Sequence, residues 1–156
     1  MRVRHIITMP KNLVSDTGWQ VKDLPPKHAP IFVKTRPIRG GWKWRSARAN
    51  DGVYDYMLTA LCDPNRDNWK SFLSLQLQNG SSIVARFEHH GSHPGLHTHS
   101  DCSRSGLEIG AQSLDNLSRF PSVKSPHRRT NSWTENGFWD ASKAFFRIND
   151  KTGTLI

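Results

Sequence analysis

The sequence predicts an α+β fold: a single domain, residues 1–156, in which an antiparallel sheet of four to five strands packs against a C-terminal amphipathic helix. Three observations favour this class. Apolar segments with strand character follow one another in the middle of the chain, a strong hairpin signal joins two of them, and apolar residues recur at helical spacing near the C-terminus. With 156 residues, the chain is long enough to bury one hydrophobic core.

The N-terminal part is expected to contribute little regular structure. Residues 1–30 contain four prolines, which interrupt helices and strands, so we expect an irregular segment with at most one short helical turn. Residues 31–35 are rich in β-branched and aromatic side chains and predict a short strand. The pair Gly40 and Gly41 then ends any regular element.

The middle of the chain has the pattern of a β-meander. Residues 54–62 and 69–77 are predicted strands, and the Pro-, Asn- and Asp-rich residues 63–68 form the turn between them. The dipeptide Asn79-Gly80 is the strongest hairpin signal in the chain. It predicts that residues 82–88 return as the next strand.

The C-terminal part predicts the helix. Apolar residues at helical spacing indicate an amphipathic helix over residues 138–148 that packs on the sheet. These residues are Phe138, Ala141, Ala144, Phe145 and Ile148. Asn149 and Gly153 are suitable stop signals. Residues 103–132 contain no pattern that predicts an element.

The charge balance favours a polyanionic partner. Lys and Arg number 22 against 13 Asp and Glu, which gives a formal net charge of +9, and nucleic acid is the first candidate partner. An acidic protein is another. No apolar run is long enough to cross a bilayer, and the apolar stretch near the N-terminus is too short for a signal peptide, so we expect no membrane partner and a cytoplasmic location. Cys62 and Cys102 are then expected to be free thiols.

Two basic segments are candidates for contact with a nucleic-acid backbone. Their basic residues are Arg36, Arg39, Lys43, Arg45, Arg48, Lys124, Arg128 and Arg129. Trp42 and Trp44 interleave with the first segment, where they either stack on bases or belong to the core. On a strand, both Trp side chains would share one face, and the cations of Lys43 and Arg45 would share the other.

The most informative feature is a cluster of histidines, which we expect on a loop that begins where the predicted strand over residues 82–88 ends. Five of the eight histidines fall within eleven residues: His89, His90, His93, His97 and His99. Imidazole is the side chain that most readily moves protons near neutral pH, and it is also a common metal ligand. Arg86 and Glu88 lie directly before the cluster, on the same face of the predicted strand, while Phe87 would face the core.

Three interpretations of the cluster remain open. In the first, no cofactor is required: His97 and His99, assisted by His93 and His90, transfer protons during cleavage of RNA. Arg86 binds the phosphate, and Glu88 is a further acid–base candidate. In the second, a divalent metal, with zinc favoured, binds His93, His97, His99 and Cys102. In the third, the run is a solvated polar loop without chemistry.

The order of motifs resembles that of the TumE-type toxins of bacterial toxin–antitoxin systems. In that resemblance a hairpin leads into an Arg-aromatic-acid triplet and then into a His-rich segment that closes with His-x-His. The matching positions are Arg86, Phe87, Glu88, His93, His97 and His99, with Glu88 where an aspartate is expected. The resemblance implies a compact α+β toxin that acts on RNA and is held by a cognate antitoxin, here an acidic inhibitor protein.

The sequence as a whole predicts a small basic nuclease, specifically an endoribonuclease that cleaves phosphodiesters with the histidine segment. Two alternatives come from other classes. One is a zinc-stabilised module that binds nucleic acid or protein without catalysis, and the other is a transferase that modifies RNA or protein.

Overall fold

The computed structural model describes residues 3–29, 41–78, 80–90, 95–100 and 133–150. Within these ranges the fold is α+β and mostly sheet, with a helix near the C-terminus, which confirms the predicted class and the predicted helix. No helix in the described part of the chain has the length and apolar character that a membrane span requires.

The described residues form seven strands and two α-helices. The strands are β1 (Lys11–Asp16), β2 (Lys43–Asn50), β3 (Asp55–Asp63), β4 (Asn68–Leu77), β5 (Gly80–His90), β6 (Gly95–Ser100) and β7 (Ile148–Asn149), and the helices are α1 (Val3–Thr8) and α2 (Glu135–Phe145). The strands build one sheet in the order β6-β5-β4-β3-β2-β1-β7. All pairs are antiparallel except β1 with β7, which is parallel.

The predicted sheet of four to five antiparallel strands is therefore too small, and the observed sheet is mixed. The prediction of an irregular segment over residues 1–30 is wrong, because this part of the chain forms both α1 and β1. β1 has few apolar residues, so no strand pattern marks it. The predicted histidine loop is in large part strand, since His89 and His90 end β5, while His97 and His99 lie on β6. The predicted strand over residues 31–35 lies outside the described residues.

The period of two along each strand sorts the sheet into two faces. One face packs against α1 and α2 around a large core that includes Tyr56, Leu58, Trp69, Leu73 and Phe87. The opposite face has a smaller cluster: Leu24, Trp44, Leu61, Phe72 and Ile83. β3 and β4 lie in the interior of the sheet, and most of their side chains are buried on both faces, including the polar side chains of Thr59, Ser71 and Ser74.

Helix α2 begins and ends earlier than predicted. Thr134 caps the helix, because its hydroxyl accepts a hydrogen bond from the backbone N–H of Gly137 at 2.9 Å. The helix ends at Phe145, and Arg147 has a positive φ of 57°, so the chain turns there. Ile148, which the helical spacing included, instead starts β7.

Strand β5 contains a bulge. Its pairing with β4 shifts between Leu73 and Ser74, and Val84 is the extra residue. Val84 and Ala85 are consecutive, yet both belong to the core on the helix side of the sheet. The bulge therefore sets which face every later residue of β5 occupies.

A buried lysine joins the two ends of the chain. The Lys11 ammonium donates hydrogen bonds to the carbonyl oxygens of Ile6, Met9 and Phe146, and it lies 5.0 Å from the centroid of the Tyr56 ring. Burial lowers the pKa of Lys11 to about 8, although the nearby Asp51 carboxylate raises it. This side chain thus links the end of α1 to the end of α2 across β1.

We predict that Lys11→Met destabilises the fold strongly. The substitution keeps the length and the apolar stem, but three carbonyl oxygens lose their donor, which costs roughly 3 kcal/mol or more in the free energy of unfolding. Urea denaturation followed by tryptophan fluorescence measures this change. Lys143→Met, at a lysine of α2 that pairs with Asp150 at 2.9 Å, is the control and should cost under about 1 kcal/mol. Equal losses for both variants would contradict the role of Lys11.

We also predict that the Cys62 thiol is unreactive in the folded protein. Cys62 is fully buried, and desolvation raises its pKa to about 12, with a smaller contribution from the Glu135 carboxylate. In a Cys102→Ser variant at pH 8, Ellman's reagent should label no thiol until urea unfolds the chain. Labelling of the native protein at the rate of an exposed thiol would refute this placement.

Candidate functional site

The pairing of β5 with β6 brings four of the predicted site residues to neighbouring positions. In the register of this pair, Glu88 is the partner of His97 and Arg86 is the partner of His99. Directly opposed residues of an antiparallel pair belong to the same face of the sheet, and so do residues two apart. Positions 86, 88, 97 and 99 therefore form one block on the face opposite to the helices.

Strand β4 extends this block by one more strand. Lys70 is the partner of Glu88 on the other side, and Phe72 is the partner of Arg86. Two rows of residues thus run across β4, β5 and β6, one through Glu88 and one through Arg86. The sequence did not identify Lys70 as a site residue, because only the strand register places it next to Glu88.

The described side chains of the block differ in burial. Glu88 is only 4 % exposed, whereas Arg86 is half-buried. A carboxylate is rarely buried to this degree unless charged or hydrogen-bonding groups surround it, so Glu88 marks a polar interior on this face. Phe72 and Ile83, both buried, provide apolar surroundings on the same face.

Some predicted residues cannot be placed in this block. His93 and Cys102 lie outside the described residues, as do Arg36, Arg39, Lys124, Arg128 and Arg129. Among the described residues, no group of three or more His, Cys, Asp or Glu side chains is arranged to hold a metal ion. The zinc set of His93, His97, His99 and Cys102 therefore stays a prediction.

His89 belongs to the helix face and has a separate role. Its Nε2 lies 3.1 Å from Oδ2 of Asp67, and Oδ1 of the same carboxylate accepts a hydrogen bond from the Trp69 indole at 2.8 Å. The imidazole also packs edge-on against Trp133, with ring centroids 6.5 Å apart. The contact between His89 and Asp67 anchors the end of β5 to the turn before β4. The sequence did not reveal it, because the turn residues gave only a signal for chain reversal.

The two described cations on the helix side of β2 form intramolecular pairs. Arg45 donates to both carboxylate oxygens of Asp16, and its guanidinium lies 4.6 Å from the Trp139 ring centroid. Burial would raise the pKa of Asp16, but the hydrogen bonds from Arg45 and from the Gly18 amide lower it below its ordinary value. Lys43 pairs with Glu135 of α2 at 2.7 Å, and this hydrogen bond raises the pKa of Lys43. Nucleic-acid binding by these two cations stays a prediction.

The two tryptophans of the first basic segment lie on the face opposite to these cations, as the alternation indicated. Trp44 is 2 % exposed, its indole donates to the backbone oxygen of Lys22 at 2.7 Å, and its ring packs on His28. Trp44 is therefore a core residue, the second of the two roles that the sequence left open. Trp42 is partly buried against the same cluster, and Arg48 is exposed.

Comparison with protein-family models, with curated proteins and with solved structures gives no match for this chain. The resemblance to TumE-type toxins, and the antitoxin partner that it implies, thus stay predictions.

We predict that Asp67 stabilises the start of the histidine segment. Asp67→Ala removes the acceptor for both Trp69 and His89 and should lower the free energy of unfolding by about 2–4 kcal/mol. Asp67→Asn is the matched variant: it keeps a polar group at both positions and tolerates the left-handed φ of 47° at this residue, so it should lose less than half as much. Urea denaturation measures both. An Asp67→Ala variant as stable as the native protein would show that the carboxylate contacts contribute nothing.

Proposed function

We propose that this protein is a small basic endoribonuclease whose site lies on the face of β5 and β6 opposite to the helices. The observation that carries the proposal is the strand register, which pairs Glu88 with His97 and Arg86 with His99. Two imidazoles, a carboxylate and a guanidinium at adjacent positions are sufficient for general acid–base cleavage of a phosphodiester. The formal charge of +9 supports an RNA substrate, because it attracts polyanions.

The proposed reaction is an internal displacement on RNA. One of the two histidines, His97 or His99, takes the proton from a ribose 2′-hydroxyl, and the 2′-oxygen bonds to the adjacent phosphorus. The bond from phosphorus to the 5′-oxygen breaks, and the other histidine donates a proton to that oxygen. The products are a 2′,3′-cyclic phosphate and a free 5′-hydroxyl, and no redox partner is needed.

Arg86 and Glu88 have supporting roles in this mechanism. The guanidinium of Arg86 binds the non-bridging phosphate oxygens and offsets the charge that develops there during the displacement. Glu88, the register partner of His97, is the group that would orient and charge that imidazole, as carboxylates do for catalytic histidines. Glu88 is then a positioning residue rather than a proton donor to RNA.

One experiment distinguishes the proposed mechanism from the two main alternative functions of this site. A metal-dependent nuclease would use the predicted ligands His93, His97, His99 and Cys102, and a binding module would retain RNA affinity without cleavage. A short fluorescent single-stranded RNA incubated with the purified protein, with and without EDTA, separates these cases from metal-free catalysis.

We predict cleavage of the RNA that persists in EDTA and falls by roughly 100-fold or more in His97→Ala and in His99→Ala. Arg86→Gln should also lower kcat, because it removes the positive charge that stabilises the phosphate but keeps a polar hydrogen-bond donor. His5→Ala is the matched control, since His5 is an exposed histidine of α1, and it should retain the activity of the native sequence.

Three results would contradict the proposal. Activity lost in EDTA and restored by zinc favours the metal mechanism. Binding without cleavage favours the module. Full activity in a preparation of the double variant His97→Ala/His99→Ala would show that the site lies elsewhere or that the activity is a contaminant.

A further inference from the structure

Lys70 occupies a position on the site face that the proposed mechanism does not use. It is the register partner of Glu88, and Glu88 is in turn the partner of His97, so Lys70 completes the row across β4, β5 and β6. Lys70 is half-buried on a central strand. A strand position fixes the stem of the side chain, and the ammonium then reaches over the same face.

Within the described part of the chain, the ammonium of Lys70 forms no hydrogen bond and no ion pair, although Glu88 is the residue directly opposite in the register. By contrast, Lys11, Lys43 and Lys143 all donate to oxygen atoms of the protein. A half-buried cation without such a partner, beside a predicted phosphate-binding arginine, is suited to a second anionic group.

We propose that Lys70 binds the phosphate next to the scissile phosphate in single-stranded RNA. This inference rests on the proposed ribonuclease function and specifies its substrate. Position 70 is diagonal to Arg86 in the register, and diagonal neighbours on adjacent strands are roughly 7–8 Å apart. Arg86 at the scissile phosphate and Lys70 at an adjacent one would hold two consecutive phosphates, so the preferred substrate has at least three nucleotides.

The test compares two substrates of defined length. A dinucleoside monophosphate contains only the scissile phosphate, whereas a trinucleotide with one cleavable ribose contains the scissile phosphate and a neighbour. Lys70→Met should lower kcat/KM for the trinucleotide roughly ten-fold, mostly through KM, and leave kcat/KM for the dinucleotide unchanged. Lys70→Arg should recover most of the loss, and Lys143→Met, on α2 at the other face, should match the native sequence on both substrates.

A binding measurement gives an independent readout. With the His99→Ala variant and a short single-stranded RNA, the slope of log Kd against log salt concentration should fall by about 0.7 when Lys70→Met is added, which corresponds to one phosphate contact. A side chain that only supports the fold would not change this slope.

The outcomes distinguish the two proposals. If the native protein and the Lys70→Met variant cleave the trinucleotide with the same kcat/KM, Lys70 has no role and the ribonuclease proposal stands. If Lys70→Met slows both substrates equally through kcat and leaves the salt slope unchanged, Lys70 acts only on Glu88, and the phosphate contact is refuted. If the native sequence cleaves neither substrate, both proposals fall.

Discussion

The packing of Phe87 against α2 determines where the candidate site lies. The ring of Phe87 is fully buried and stacks on Phe138 and Phe145, with centroids 5.7 Å and 5.0 Å apart. Side chains alternate along a strand, so burial of Phe87 on the helix side directs Arg86 and Glu88 to the opposite face. Moving the ring out of the core would cost roughly 2–3 kcal/mol of apolar burial, and this cost fixes the register of β5.

The bulge at Val84 allows the two halves of β5 to bury apolar side chains on opposite faces of the sheet. Before the bulge, Ile83 lies on the site face and packs with Phe72. Strict alternation from Ile83 would place residue 87 on that same face, and Phe87 would leave the core that packs against α2. One extra residue reverses the order, so both Ile83 and Phe87 are buried, each on its own side. Without this one extra residue, Arg86 and Glu88 would lie on the helix face of the sheet.

The parts of the fold that the sequence predicted are those with a local signal. Alternating residues, the turn over residues 63–68 and the hairpin dipeptide identified β3, β4 and β5, and helical spacing identified α2. The missed parts depend on distant partners. Lys11 is buried because it binds the carbonyl of Phe146, 135 residues away, and no local pattern predicts a buried lysine in a strand. The strand β6 was missed because Leu96 is the only apolar residue among its six, so no apolar alternation marks it and only its pairing with β5 reveals it.

In the candidate site, too, the sequence predicted what has a local signal and missed what depends on distant partners. Arg86, Glu88, His97 and His99 were recognisable as residue types, and the sequence placed Arg86 and Glu88 on one strand face. Their adjacency to the histidines required the register, as did the position of Lys70 and the separation of His89 to the helix face.

The change from loop to strand alters what this cluster can do. Histidines on a flexible loop would need to be ordered at each catalytic event, at a cost in conformational entropy for every residue fixed. Positions 97 and 99 instead belong to β6, whose backbone is already paired to β5 over residues 85 to 89. The spacing between the guanidinium position and the two imidazole positions is thus built into the sheet before any substrate binds. Pre-organisation of this kind is what acid–base catalysis requires, because proton transfer depends on donors and acceptors that lie within hydrogen-bond reach. The strand register therefore matters more for the proposed activity than the number of histidines does.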